Sequence, residues 1–417
     1  MAPYREILRI PGAVAFCAAG FVARMPMSMF SLGTVLLIAT MTGRYALAGL
    51  VAAAGSVGYA FGAPQFARLS DSFGQHRVLR PQAAVFAVTT IVFMTLAQLK
   101  APWAAVMAVG ALAGATMPSM GSMVRTRWSV LLAESGLLHT AFSLESVLDE
   151  VIFVVGPALV TLLAIDIYPA AGVGSAMALC VTGTLLFAAQ RGTQPPARLR
   201  AGQAAGGPAT PVTAASRAPR RAGAWAAVPG LVTLVPVYWL LGAMFATIDL
   251  STVAFAAERG HVCVAGLVLG AYALGSAVGG LWYGARHWRA PLERRFVIAL
   301  GCAAAGVTTF WFQPGLATLF GVILVAGLAI SPTLIAGYGL IERQSPVERR
   351  TEGMTWLSSA IAVGVATGSP VAGHLVDTHG ARWGYLFAAG CGLTAAAIAL
   401  TGQGRLRLAA RHPQQLR

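Results

Sequence analysis

Three carboxylates fall close together in a stretch that is otherwise largely apolar: Ala141-Phe-Ser-Leu-Glu145-Ser-Val-Leu-Asp149-Glu150-Val-Ile-Phe-Val-Val-Gly156-Pro157. Glu145 and Asp149 are four apart, so on a helix they share a face and set two like charges side by side. If that helix starts near residue 140, Asp149 lies roughly 13 Å from its beginning, at about 1.5 Å per residue. Within a bilayer such a depth makes ionisation costly without a partner or water. Acids so placed suit two kinds of chemistry, the loading and release of a proton or the binding of a cationic group. The competing reading starts the helix later and leaves the three acids in a wet vestibule, paired with Arg125 or Arg127. A fourth charge, Arg24, sits roughly 18 Å into the first apolar stretch if that begins near residue 12. It can snorkel only if the stretch is shifted, so a buried carboxylate partner is expected, as a structural ion pair or as part of a relay.

The elements that must hold these groups are membrane spans. With 57% hydrophobic and 10% charged residues and a mean hydropathy of +0.71, a chain of 417 residues has too little polar surface to enclose itself in water. Apolar runs of roughly 20 residues occur near 12–38, 46–67, 81–99, 103–124, 140–164, 168–189, 228–256, 263–284, 296–312, 316–340, 354–376 and 383–402. That predicts an all-α integral membrane protein with twelve transmembrane helices. Apart from Arg24, Arg44, Lys100, Arg259 and Arg382, every one of the 29 basic residues falls at or beyond the span ends on one side. The positive-inside rule then puts both termini in the cytoplasm and the chain, as a multi-pass protein, in a plasma membrane of bacterial type. The net charge of +15 is thereby explained by topology, which excludes nucleic acid as a partner. Arg5 and Arg9 precede an apolar run, but no small-residue cleavage site follows before a polar chain, so the first span is expected to be retained.

The two halves repeat. Pro157 and Pro370, Leu144 and Leu357, and Gly62 and Gly275 are each 213 residues apart, and Pro118 and Pro332 are 214 apart. A constant offset of half the chain predicts two parallel-related six-helix bundles, residues 1–190 and 225–417. The stretch 191–224 between them is rich in Ala, Gly, Pro, Thr and Arg without apolar periodicity, and reads as a flexible cytoplasmic linker. At the same offset Glu145, Asp149 and Glu150 fall on Ser358, Ala362 and Val363, so the second bundle manages without these acids. The cysteines at 17, 180, 263, 302 and 391 show no paired spacing and read as packing residues.

The loop after the second span reads Ala67-Arg68-Leu69-Ser70-Asp71-Ser72-Phe73-Gly74-Gln75-His76-Arg77. It resembles the major facilitator superfamily signature Gly-x-Leu-Ala-Asp-Arg-x-Gly-Arg-Arg, with Leu69, Asp71 and Gly74 at their expected spacing. Ala67 replaces the opening glycine, Ser72, Gln75 and His76 occupy the usual basic positions, and Arg77 follows one residue late. The resemblance implies that Asp71 latches the two halves on the cytoplasmic side, with Gly74 for the turn and Arg77 in support. The competing reading is a solvated turn in which Asp71 caps the next helix. The resemblance also implies that the first and fifth spans pack together, which makes Glu145 or Asp149 the partner for Arg24. Gly156-Pro157 resembles the core of a motif in this superfamily's drug/proton antiporters, without most of its further glycines. The eleventh span carries a similar ladder, Gly364, Gly368, Pro370 and Gly373. Gly156, Pro157, Gly368 and Pro370 are expected to pack and bend their helices where the bundles meet.

Met25, Tyr238, Asp249 and Tyr338 are candidates to line a cavity between the bundles, set against plain packing for the apolar ones and an outer vestibule for Asp249. No metal-ligand, nucleophile or phosphate-loop motif is present, so no enzyme activity, metal or cofactor is expected. The expected function is secondary transport of a small molecule by alternating access, as a monomer, in the form of proton-coupled efflux by antiport. Symport, a passive facilitator and a non-transporting sensor are the alternatives.

Overall fold

The structure, a computed structural model, describes residues 2–197, 228–261 and 264–408. Most of the expected linker, Cys263 and the C-terminal tail lie outside the described residues. The described chain is helical, with no strand, and contains 12 helices long and apolar enough to cross a membrane. In chain order these are Ala13–Thr42, Leu47–Phe73, Gln75–Gln98, Trp103–Leu131, Leu138–Ala164 and Ala171–Ala189 in the first half. The second half has Leu231–Ala257, Ala265–Ala285, Leu292–Phe312, Leu316–Gln344, Val347–His379 and Ala381–Thr401. They are called the first to twelfth spans below.

The second, third, fourth, ninth, tenth and eleventh spans run further than their apolar cores at the end of the molecule that carries both termini, and the eleventh also by three residues at the other end. Hydropathy stops at the first polar residues, whereas backbone hydrogen bonding continues as long as each residue tolerates helical geometry. Arg125 and Arg127 are the clearest correction. The sequence puts them in a loop, but they lie inside the helix Met120–Leu131 and are 3% and 0% exposed. The beginning of the expected linker is also structured, because Thr193 accepts from Arg127 (2.9 Å) and Gln194 accepts from the His76 backbone N–H (3.2 Å).

Each bundle is held by glycines that let helices approach until a Cβ would collide with backbone. Gly58 and Gly62 of the second span face the carbonyls of Ala111 and Ala115 in the fourth, and Gly275 and Gly279 of the eighth face those of Leu324 and Leu328 in the tenth. The same device joins Gly364 and Gly368 of the eleventh span to Trp239 and Ala243 of the seventh, while Gly156 of the fifth meets Ser28 and Met29 of the first. Gly156 and Gly368 therefore pack inside their own bundles and not where the bundles meet. Pro157 and Pro370 lie within helices that run on without interruption.

The breaks fall elsewhere. The first span is interrupted at Met25, where Pro26 removes the donor that Val22 would otherwise receive, and the fourth at Met117-Pro118-Ser119. The tenth is interrupted at Leu328-Ala329, just ahead of Ser331-Pro332. The bundles meet chiefly where the second span packs on the eleventh and the fifth on the eighth.

Candidate functional site

The network at the centre of the first bundle is built on the break at Met25. Arg24 ends the helix Ala13–Arg24, where a cation is favoured by the carbonyl end of the helix. Its Nε donates to the Gly20 carbonyl (3.1 Å), which leaves both Nη groups free to reach the fifth span. There the four-residue spacing puts two acids in line: Nη2 pairs with Glu145 (2.6 Å) and Nη1 with Asp149 (2.7 Å). Asp149 uses its other oxygen on Arg125 Nη2 (2.7 Å). The four charges balance, which is what burial of such a cluster requires.

Glu145 is fully buried and receives two more donors, the Trp128 indole N–H (2.8 Å) and the Cys17 thiol (3.3 Å). Cys17 thus hydrogen-bonds as well as packs. The Asp149 side chain keeps 19% of its exposure, so it faces accessible space. Arg125 extends the network across the bundle boundary, because its guanidinium lies 4.3 Å from the centroid of the Tyr338 ring, and the Tyr338 hydroxyl is 2.9 Å from Ser358 Oγ.

Glu150 is arranged differently. It shares no arginine, and it accepts a hydrogen bond from the Ser276 hydroxyl of the eighth span, in the other bundle. Ser276 is in turn 3.0 Å from Ser331, beside the break in the tenth span. Asp249 is exposed on the seventh span. The 213-residue offset relates Tyr272 to Tyr59; the Tyr59 hydroxyl donates to Ser119 at the break in the fourth span (3.3 Å), whereas the Tyr272 hydroxyl has no hydrogen-bond partner among the described residues.

The other candidates separate. Tyr238 is fully buried, donates to the Leu334 carbonyl (3.0 Å) and packs edge-on against Tyr338, so it belongs to the core of the second bundle. Met25 is 5% exposed and packs in a cluster with Met29 and Ile152. Neither lines open space. Asp71 accepts from the backbone N–H of Glu352 (3.0 Å) in the first turn of the helix Arg350–His379, across the bundle boundary. Thr351 bridges to Thr126 beside it (3.1 Å), and Arg350 reaches the Ser129 carbonyl (3.4 Å) while pairing with Glu342 (3.0 Å). Gly74 turns the chain at φ +94°, a conformation that disfavours a side chain. Arg77 takes no part in this contact.

A second contact between the bundles lies at the same end. Thr140 donates to the Gly284 carbonyl (2.7 Å), and the Tyr4 hydroxyl donates to the Leu281 carbonyl (3.0 Å), joining the fifth span and the N-terminal helix Ala2–Leu8 to the end of the eighth span. The offset of 213 places Gly284 opposite Asp71, so one contact uses a carboxylate and a helix N-terminus and the other uses neutral groups.

Sequence reasoning named Arg125 only as a partner of acids in a wet vestibule, and missed Trp128, Cys17 and Ser276. The available signal was the polar run Arg125-Thr-Arg127-Trp128, in which Arg125 follows Gly121 by one helical turn. Arg127 is held without an acid, by the Gln75 side chain (2.8 Å), Thr193 and the Phe187 carbonyl (3.0 Å), with its guanidinium 3.6 Å from the Phe187 ring centroid.

The fold is similar to solved transporters. A crystal structure of the human organic anion transporter TETRAN aligns over 94% of this chain and 100% of its own, at 16% identity and a TM-score of 0.68. A bacterial homologue of the iron transporter ferroportin, outward-facing with soaked iron, aligns over 94% and 99% at 14% identity and a TM-score of 0.71. FucP in the outward conformation aligns over 94% and 98% at 14% identity and a TM-score of 0.65. No curated protein sequence matches the chain. The family model described as Major Facilitator Superfamily matches residues 16–316 and, again, 237–413. With that match across both bundles, the chain belongs to the major facilitator superfamily.

Proposed function

We propose that this chain is a proton-coupled secondary transporter that exports a small molecule by alternating access, and that Glu150 carries the coupled proton. The observation that supports this most is the division of labour among the three acids of the fifth span. Glu145 and Asp149 have their charge matched by Arg24 and Arg125, whereas Glu150 meets only a hydroxyl, and that hydroxyl belongs to the other bundle. A hydrogen bond to a carboxylate is roughly twice as strong as one between neutral groups. Protonation of Glu150 therefore weakens a tie between the bundles without disturbing the balanced cluster beside it. With the arginine-rich end in the cytoplasm, the seals at Asp71 and Thr140 close the cytoplasmic side, and Glu150 takes its proton from outside. Loss of the tie favours opening inward, where the proton leaves and substrate enters. Export is read from the resemblance of Gly156-Pro157 to the antiporter motif, and a monomer in the plasma membrane is the working unit.

The test is transport into proteoliposomes under an imposed pH gradient, with substrates first chosen by growth of an expressing strain against a panel of toxic compounds. Glu150→Gln is expected to lose the response to the gradient and to keep substrate exchange at equal pH. A Glu150→Gln protein that still follows the gradient removes Glu150 from the coupling, and accumulation with the sign opposite to export makes the chain a symporter.

A further inference from the structure

A groove of about 230 Å³ runs between the second and third spans, far from the charge network, at the end that carries both termini. One wall is Phe66, Leu69 and Phe73, spaced three and four apart on the second span. The other is Val78, Pro81, Gln82 and Val85 on the third, with Arg77 at the rim. Leu69, Phe73 and Val85 are 42–46% exposed, as expected of side chains that face acyl chains.

Two observations show that this groove is made for more than bulk hydrocarbon. Gln82 is only 2% exposed, yet neither its amide nitrogen nor its amide oxygen has a partner among the described residues, and it lines the groove. A buried amide in apolar surroundings requires a polar group to bond. Arg77 is exposed, with no hydrogen bond or ion pair from its side chain among the described residues, and lies five residues before Gln82, about 7.5 Å along the helix. The nearby acid, Asp71, is turned to Glu352.

We infer that this groove binds one anionic phospholipid, with its phosphate on Arg77, its glycerol ester region on the Gln82 amide and an acyl chain along Phe66, Leu69 and Phe73. The three parts of the ligand match three chemically distinct parts of the groove. A cationic rim selects an anionic headgroup, a buried amide bonds the ester level, and the apolar walls take the chain.

The full-length chain, purified in detergent, is titrated with phosphatidylglycerol or phosphatidylcholine in mixed micelles, and retained lipid is counted by native mass spectrometry alongside thermal unfolding. Wild type is expected to prefer phosphatidylglycerol about fivefold, the worth of one arginine at an anionic surface, and Arg77→Gln is expected to lose that preference. Gln82→Leu is expected to unfold at higher temperature without lipid and to lose most of the lipid-induced shift. Equal retention of the two lipids by wild type, an unchanged preference in Arg77→Gln, or a wild-type lipid response in Gln82→Leu overturns the assignment. Displacement of the bound lipid by inorganic phosphate at equal concentration also overturns it, since the groove would then be a simple anion site.

Discussion

Removing the carboxylate of Asp71 tests whether the seal at the terminal end holds one conformation. The Asp71 carboxylate accepts the Glu352 backbone N–H at 3.0 Å, in the first turn of the helix Arg350–His379. Loss of a capping acceptor costs about 0.5–2 kcal/mol, and loss of a negative charge beside a helix N-terminus about 0.3–1 kcal/mol. Asp71 is half-buried, so a total near 2 kcal/mol is a fair expectation. That corresponds to about a thirtyfold change in an equilibrium. If the sealed arrangement holds about 99% of molecules, Asp71→Ala lowers it to about three-quarters. Asp71→Asn keeps an acceptor oxygen and loses only the charge, for a change of about threefold. Spin labels at the exposed positions Arg68 and Glu348, in a cysteine-free background, report the separation across the seal by electron–electron resonance. A distance distribution in Asp71→Ala that matches the parent within twofold would refute the latch.

Three further outcomes follow from the packing and the charge cluster. Asp149→Asn leaves Arg24 with Glu145 alone and takes from Arg125 the acid it pairs with, and because breaking a buried pair costs about 3–5 kcal/mol while Asp149 is partly accessible, a loss near the lower figure is expected in thermal unfolding. Adding Arg125→Gln should recover much of that loss, and additive losses would show that the two residues are not coupled. Trp128→Phe removes the indole donor from Glu145, and an expected loss of about 1.5–3 kcal/mol is checked by the same measurement, with wild-type stability counting against the contact. Gly62→Val forces a side chain against the Ala115 carbonyl and is expected to cost about 1–3 kcal/mol or more, whereas Gly266→Val meets open space and should be near neutral; equal effects at the two sites would contradict close helix approach.

The membrane class, the twelve spans and the duplication were legible because they depend on average hydropathy and on a repeat that single substitutions do not erase. Span ends were not, because apolar content stops before helical hydrogen bonding does. That is why Arg125 and Arg127 were read as loop residues when both are buried. The helix spacing of Glu145 and Asp149 was readable, but the reach of Arg24 to both depended on the break at Pro26, and the indole of Trp128 on a helix that hydropathy had already ended. Tyr238 and Met25 were misplaced for a simpler reason: aromatic and thioether side chains serve a core and a cavity equally well, and only the facing helix decides. Glu150 could be picked as an acid, yet its partner Ser276 lies 126 residues away and carries no sequence mark.

The glycine-to-carbonyl contacts have a mechanical consequence. Where Gly58, Gly62, Gly275 and Gly279 lie directly on a neighbouring backbone, no side chains remain to rearrange, and the paired spans behave as a stiff plate. A plate stores little strain, so a small change at its middle reappears at its rim. From Glu150 to the start of the fifth span is about 18 Å of helix at about 1.5 Å per residue, and over that lever arm a tilt of a few degrees becomes roughly an ångström of travel, comparable to the slack in a hydrogen bond. Stiffness within each half thus serves as the gearing between one acid and the distant seal.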